Sequence, residues 1–338
     1  MKIKSLLIGS VAALAGVSGA HAADAIVAAE PEPLEYVRVC DAFGTGYFYI
    51  PGTETCLKIG GYVRFQVDIG DSVNGFNGGD WDAWTRGRLE VTSKSDTELG
   101  TLTGFIAIHG EASRDGSNST SNDDFYFDEV YLQLGGFKAG TYLSWWDNDL
   151  AGESDLLSNN TRYTSVAYIY ENDAFLAGLQ VDEITDSIAA HGDSQGVGIE
   201  AIVRGKFGAV SAELLGSYDI EAEEGAIRGM LSADVGPGSL QLAALWSSAP
   251  STYYEAAEWA VAAQYVIKAT DKLEIIPEFN YFWNTDLDID GDYTGDDFWT
   301  AGATINYQIT EGLKSKVAVA YSDGSEDWAG FVRLQRDF

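Results

Sequence analysis

The sequence predicts an all-β fold, a 16-stranded antiparallel transmembrane β-barrel spanning residues 57–338. Three observations predict it. From Leu57 onward apolar and polar residues alternate with a period of two, in stretches of about ten residues, a split that helical spacing cannot produce. Short turn-like connections alternate with long, acidic, Asn/Ser/Gly-rich ones. Finally, one face of nearly every stretch carries Val, Leu, Ile, Phe and Trp while the other carries charges and amides, which suits lipid on one side and water on the other.

Composition narrows the class. The chain has 338 residues, a formal charge of −32, 46% hydrophobic and 21% charged residues, so it is neither disordered nor uniformly apolar. Past residue 22 no apolar run reaches the roughly 18 residues of a spanning helix. A sequence pI near 4.1 lacks the basic footprint of a nucleic-acid binder, so no nucleic-acid partner is expected.

The elements follow in order. Lys2 and Lys4, the apolar stretch Leu6 to Val17 and the Ala20-His21-Ala22 site read as a cleaved signal peptide over residues 1–22, hence an exported chain. Residues 23–56 form an N-terminal leader followed by a disulfide loop. The leader is small, acidic and Pro-containing through residue 35. Cys40 and Cys56 are the only cysteines, and in an oxidising compartment they read as one disulfide. Closing a loop of about 15 residues is worth on the order of 3 kcal/mol in the chain-entropy model.

The barrel follows. Leu57, Ile59, Gly61, Val63, Phe65, Val67 and Ile69 share one face, and Lys58, Tyr62, Arg64, Gln66 and Asp68 the other. The same split recurs in Leu89 and Val91 against Arg86, Arg88, Glu90 and Thr92, and in Val317, Val319 and Tyr321 against Lys314 and Lys316. Alternation is less clean over 164–182 and 257–282. Turns are expected at 95–98, 135–136, 236–238 and 269–272, and long loops at 70–83, 112–123, 147–163, 183–195, 247–256 and 283–297. Trp84, Trp145, Trp146, Tyr265, Tyr281, Trp283, Trp299 and Trp328 are candidates for aromatic girdles at the membrane interfaces.

Chemistry-bearing motifs are sparse, and an enzyme is not expected. The mature chain has two histidines, His109 in a strand and His191 in a loop, and no Gly-rich phosphate loop in a strand-to-helix setting. Asp286, Asp288, Asp290, Asp292 and Asp297 are spaced like a calcium loop, so a structural Ca2+ is the one candidate ion; strands around it exclude a helix-loop-helix site, and a solvated acidic loop is the plainer reading.

The stretch from Tyr36 to Arg64, containing Cys40-Asp41-Ala42-Phe43-Gly44, Tyr47-Phe48-Tyr49-Ile50-Pro51-Gly52 and Leu57-Lys58-Ile59-Gly60-Gly61-Tyr62, closely resembles the N-terminal signature of alphaproteobacterial general porins of the Brucella/Rhizobium type. The likeness runs more loosely to the terminal Arg333-Leu334-Gln335-Arg336-Asp337-Phe338, which is similar to the closing strand of outer-membrane barrels. Arg336 departs from that pattern on the lipid side, where at a rim it can snorkel. The resemblance implies a homotrimer in the bacterial outer membrane, among lipid and lipopolysaccharide. It implies passive diffusion of small hydrophilic solutes and ions, and a third external loop folded inward.

That loop position falls on 147–163, with Asp147, Asp149, Glu153 and Asp155; the inward basic candidates opposite are Arg64, Arg86 and Arg88. Acids facing arginines across a gap set up a transverse field that filters by size and charge. The plainer alternative is that Arg86 and Arg88 pair with Glu90 or neighbouring carboxylates away from the narrowest point. The net charge further suggests an acidic vestibule. Two other functions fit less of the sequence: a substrate-selective outer-membrane channel, and a soluble secreted all-β binding protein.

Overall fold

The computed structural model describes residues 38–70, 81–113, 125–185, 195–289 and 291–338. The expected signal peptide and leader lie outside these residues, as do His191, Asp290 and most of three expected long loops. The strands are β1 (Cys56–Ile69), β2 (Trp81–Thr97), β3 (Gly100–Ser113), β4 (Phe125–Leu134), β5 (Phe137–Leu143), β6 (Arg162–Glu171), β7 (Phe175–Thr185) and β8 (Gln195–Phe207). They continue with β9 (Val210–Asp219), β10 (Glu224–Val235), β11 (Gly238–Ser247), β12 (Trp259–Lys268), β13 (Leu273–Trp283), β14 (Asp297–Thr310), β15 (Leu313–Ser322) and β16 (Asp327–Asp337). Each pairs antiparallel with its sequence neighbours, and β16 pairs with β1 from Gly330↔Ile69 to Asp337↔Tyr62, so the sheet closes and has no long free edge.

At the seam the terminal Phe338 N donates to Gly61 O (3.0 Å) and Gly61 N donates to Phe338 O (3.2 Å). Gly61 sits at φ +146°, and a Cβ there would lie 2.0 Å from Arg88 O, so this position admits glycine alone.

The outward face is apolar and uncovered: Phe65 is 48% exposed, Leu132 52% and Leu214 56%. A soluble chain cannot carry so continuous an apolar surface in water, whereas lipid requires it. Tyr281, Trp283, Trp299, Tyr321 and Trp328 form a contacting outward group at one end of β13–β16, where an interfacial girdle was expected. Trp84, Trp145 and Trp146 depart from that expectation. Trp84 shares the face of Arg86 and Arg88 and donates from Nε1 to Asp68 Oδ2 (2.6 Å), inside the barrel. Trp145 and Trp146 lie past the end of β5, in a 3-10 turn (Trp145–Asp147) packed into the interior.

Connections segregate by rim. One rim carries only brief turns, such as those between β2 and β3 or β10 and β11. The other carries the long ones, with two exceptions that the sequence reading missed: the β9–β10 and β15–β16 connections span only 220–223 and 323–326. At the short-turn rim the expected disulfide joins Cys40 and Cys56, Cα atoms 6.0 Å apart. Phe48–Tyr49 pairs with Leu57 and Cys56, and the Tyr47 ring lies under the ammonium groups of Lys58 (5.9 Å) and Lys94 (5.6 Å), both on inward positions.

Candidate functional site: the barrel interior

The interior has two dissimilar walls. The first is made by β7–β13. Its inward positions include Ile184, Ile202, Leu215, Leu245 and Phe282, all buried, interleaved with the buried polar residues Asp182, Glu200, Gln264 and Asn280. Over this wall lies the β5–β6 connection, residues 144–161. Its hydrogen bonds show its course: Asn148 Nδ2 donates to Glu213 on β9 (3.3 Å), Ala151 N to Gln241 on β11 (2.9 Å), and Gly152 N to Gln264 on β12 (2.9 Å). Ser154 N and Oγ donate to Glu278 on β13 (2.8 and 2.6 Å), and Glu153 N donates to Thr304 on β14 (3.1 Å). In a closed barrel a segment leaving β5 reaches inward side chains of β9 to β14 only through the interior.

The return limb is tied from outside the strand ladder. Asn159 N donates to Tyr253 O (3.1 Å) and Tyr163 Oη to Asn160 O (2.7 Å). Trp146, Leu157, Tyr253 and Tyr254 form a dry core with the wall. The wall is cut to receive these rings: a Cβ on Gly198 would lie 1.9 Å from Tyr253 Oη, and one on Gly178 would lie 2.5 Å from the Trp145 ring.

Arg228 on β10 holds the segment from beneath. It is fully buried; Nη1 donates to Trp146 O and Leu157 O (3.1 Å each) and Nη2 to Trp145 O (2.9 Å). Its guanidinium lies 4.9 Å from the Trp146 ring centroid, and Glu213 Oε1 is 3.7 Å from Nη2. One planar cation thus satisfies three carbonyls from both limbs of the loop. Arg228 is not among the candidates read from sequence, because nothing in one strand's pattern points to a partner more than 70 residues away.

The second wall is β16 and β1–β4, and it is ionic. Arg86 Nε donates to Glu111 Oε1 (2.6 Å). Arg88 Nε donates to Glu90 (2.6 Å), Nη2 to Glu129 (2.7 Å), and Nη1 reaches Asp128, which also binds Arg162. Asp128 and Glu129 both point inward although adjacent, because a register shift opposite Ala107 and Ile108 resets the alternation there. His109 sits between Tyr62 Oη (3.0 Å) and Tyr126 Oη (3.1 Å). Arg64 lies directly across the ladder from Arg86 and donates to Gln335 (2.8 Å); Arg333 donates to Gln66 (2.6 Å).

The four loop acids do not act as one group. Glu153 alone reaches basic strand residues, pairing with Lys316 and lying 3.8 Å from Arg333. Asp155 turns toward the first wall, where its Oδ2 is buried without a hydrogen-bond partner. Burial, with Asp149 and Glu278 nearby, raises its carboxyl to about 8. Burial raises Asp149 to about 6, against the pull of Arg228. Asp147 is raised too, by burial and then by Glu129 and Asp128. Lys316 and Arg333 were not among the basic candidates read from sequence, although the Lys314/Lys316 face marked β15, the strand next to that of Arg333. Arg162, placed in the loop by the sequence reading, opens β6.

The acidic 283–297 segment forms a small hairpin in which Asp286–Leu287 pairs with Tyr293–Thr294. Asp288 Oδ1 accepts from Asp292 N (3.0 Å), and Asp297 Oδ1 from Asn284 N (3.2 Å). Among the described residues no group of three or more His, Cys, Asp or Glu side chains is gathered to hold a metal.

Residues 24–335 match the model of the Porin subfamily. The chain belongs to that family. Outer membrane protein IIIA of Rhizobium leguminosarum bv. viciae is 46% identical, with 98% of this chain and 93% of that protein covered. Porin Omp2a of Brucella melitensis is 34% identical over the whole of both chains. Among solved structures the outer membrane channel DcaP of Acinetobacter baumannii superposes with a TM-score of 0.63 at 14% identity, covering 86% of this chain and 99% of that one, a likeness of fold. This porin is thus an outer-membrane channel protein of bacteria.

Proposed function

We propose that this porin passes small hydrophilic solutes and ions by passive diffusion, through a gap bounded by the 144–161 segment on one side and the arginine wall on the other. The observation that carries the reading is the course of that segment across β9–β14, with Glu153 at its far reach beside Lys316 and Arg333. In this reading Arg64, Arg86, Arg88 and Arg333 supply one pole of a transverse field and Glu153 the other. Arg86 and Arg88 are largely compensated by their carboxylates, so Arg64 and Arg333 carry most of the uncompensated field.

The working unit in this proposal is a homotrimer set in outer-membrane lipid and lipopolysaccharide. A trimer form is described for OmpT of Vibrio cholerae, whose chain superposes with a TM-score of 0.62 at 11% identity. The apolar outward face supports contact with lipid, and family membership supports a channel over an enzyme. Planar bilayers test the reading: the detergent-purified protein is expected to give ohmic single-channel steps, closing in threes, that scale with bulk conductivity. Saturating uptake of one solute, with no general conductance, would replace it with a substrate-selective channel.

A further inference from the structure

An expectation of an acidic vestibule does not hold at the short-turn end. A cavity of about 910 Å3 opens there, lined by Arg64, Lys268, Lys272, Lys314, Lys316 and Arg333. These are six of the chain's 20 Lys and Arg residues, in a protein of net charge −32. Asp271 and Glu274 are the lining acids. Of the cations, Lys314 pairs with Asp337 (2.8 Å), and Lys316 and Arg333 share Glu153. Arg64, Lys268 and Lys272 have no carboxylate within salt-bridge distance among the described residues; Lys272 Nζ donates only to Ile309 O (3.4 Å) and Arg64 to Gln335.

The strand register makes this concentration costly. Lys316 lies directly across from Arg333, Arg64 directly across from Arg86, and Lys314 and Arg64 flank Gln335 from either side. Like charges facing each other across a ladder destabilise it. A wall that needed only to be wet would be served by amides, which the same wall supplies at Asn306, Gln308 and Gln335. Glu153 relieves Lys316 and Arg333 and Glu111 relieves Arg86, so the charge left for a ligand to offset is that of Arg64, Lys272 and Lys268, the last directly across the ladder from Glu274 without an ion pair to it.

We propose that this cavity binds a small multivalent oxyanion, of the phosphate or polycarboxylate class, on the short-turn side of the loop. The volume suits a small solute. An ion with several anionic oxygens can meet two or three cations from neighbouring elements together, such as Lys272, which reaches over to β14, with Lys314 and Lys316 on β15, which a single chloride cannot, and charge-assisted hydrogen bonds are the strong kind. Asn306 and Gln335, each with one amide N–H beyond its bond to Glu274 or Asp337, can donate to the remaining oxygens. The consequence is a channel that holds multivalent anions near one mouth although the protein as a whole repels them. This inference rests on the channel reading above.

The test uses the full protein in planar bilayers in low-salt KCl, with inorganic pyrophosphate or citrate added to the short-turn side. Saturable reduction of the single-channel current is expected. Lys268→Gln combined with Lys272→Gln, which removes two unpaired cations outside the arginine wall, should weaken the apparent affinity about tenfold while KCl conductance stays near wild type. Block by pyrophosphate alone would restrict the site to phosphates, and block by citrate alone to carboxylates. A conducting wild-type channel indifferent to both anions, or equal block of wild type and variant, overturns the proposal and leaves the channel reading intact. Should the double variant fail to fold, Lys268→Gln alone carries the comparison. A protein that conducts nothing removes the channel reading instead. Calorimetry with pyrophosphate in detergent then decides the site by itself: heat in wild type and its loss in the variant sustain the proposal, and no heat in wild type ends it.

Discussion

The two inner walls of the barrel are built on the same strand geometry and do opposite things with it. On β16 and β1–β4 the inward positions carry Arg64, Arg86, Arg88, Arg333 and their carboxylates, and the wall faces open lumen. On β7–β13 they carry Ile184, Ile202, Leu215, Leu245 and Phe282 among buried polar residues such as Asp182, Glu200 and Glu278, and the wall is sealed by the 144–161 segment. Period-two alternation therefore separates inside from outside but does not by itself make the inside polar. A barrel wide enough to hold water can dry one flank by folding a loop onto it. What remains open is then lined asymmetrically, and asymmetry is what a transverse field needs.

The largest expected effect breaks the dry wall. Arg228→Ala leaves three loop carbonyls without their donor and Glu213 without its buried neighbour. Breaking such a buried cluster costs about 3–5 kcal/mol, enough to unseat the segment. Single-channel conductance should rise at least twofold; unchanged conductance would mean that Arg228 does not hold the loop. Gly198→Ala attacks the same wall more locally, because the added methyl occupies the place of Tyr253 Oη. It should open the channel by a smaller factor, read in the same way.

On the ionic wall, Arg64→Glu together with Arg333→Glu removes the arginines without a short carboxylate contact, Arg333 lying 3.8 Å from Glu153. The reversal potential in a KCl gradient should move clearly toward cation preference. Arg86→Glu alone should move it less, since Glu111 already offsets that charge. An equal shift from both would show that the carboxylate partners do not screen the field.

Acidity gives a graded test of how the segment is seated. Asp155, raised by burial to about 8, and Asp149, raised to about 6, both favour the docked loop when protonated. A raised carboxyl contributes its stabilisation in full below its unfolded value, about 3.9, and loses it as pH rises through the folded value. Docking should therefore weaken from about pH 4 to about pH 8, with conductance or current noise increasing over that window. Asp155→Asn should flatten the upper part of the profile. The smallest effect is expected at the short-turn mouth. Cys40→Ser with Cys56→Ser should leave barrel conductance nearly unchanged while making residues 41–55 open to limited proteolysis.

The fold was legible because most strands of the ionic wall alternate cleanly. Leu57–Ile69 assigns its faces without reference to any other strand. The stretches 164–182 and 257–282 read poorly for a physical reason now visible. Positions such as Val166 and Phe279 face lipid while Leu176, Ala260, Ala262 and Phe282 face the loop core, so apolar residues occupy both faces. The site was less legible. Arg64, Arg86 and Arg88 are inward as their parity requires, but their partners depend on register. Asp128 escaped notice because a bulge puts it beside Glu129 on one face, breaking the rule that identified the rest. Arg228 and Lys316 are ordinary polar positions on their own strands and gain meaning only from a loop that folds across the barrel to meet them.

Everything said about the two walls depends on the 144–161 segment lying inside the barrel against β9–β14. Ser154 O accepts from Asn280 Nδ2 at 2.9 Å, which makes the pair suitable for a cross-link. In a Ser154→Cys, Asn280→Cys variant, mild oxidation should join the two thiols almost completely and leave single-channel conductance at the wild-type level. Two thiols that stay apart, both open to a water-soluble reagent, would place the segment elsewhere and contradict the account.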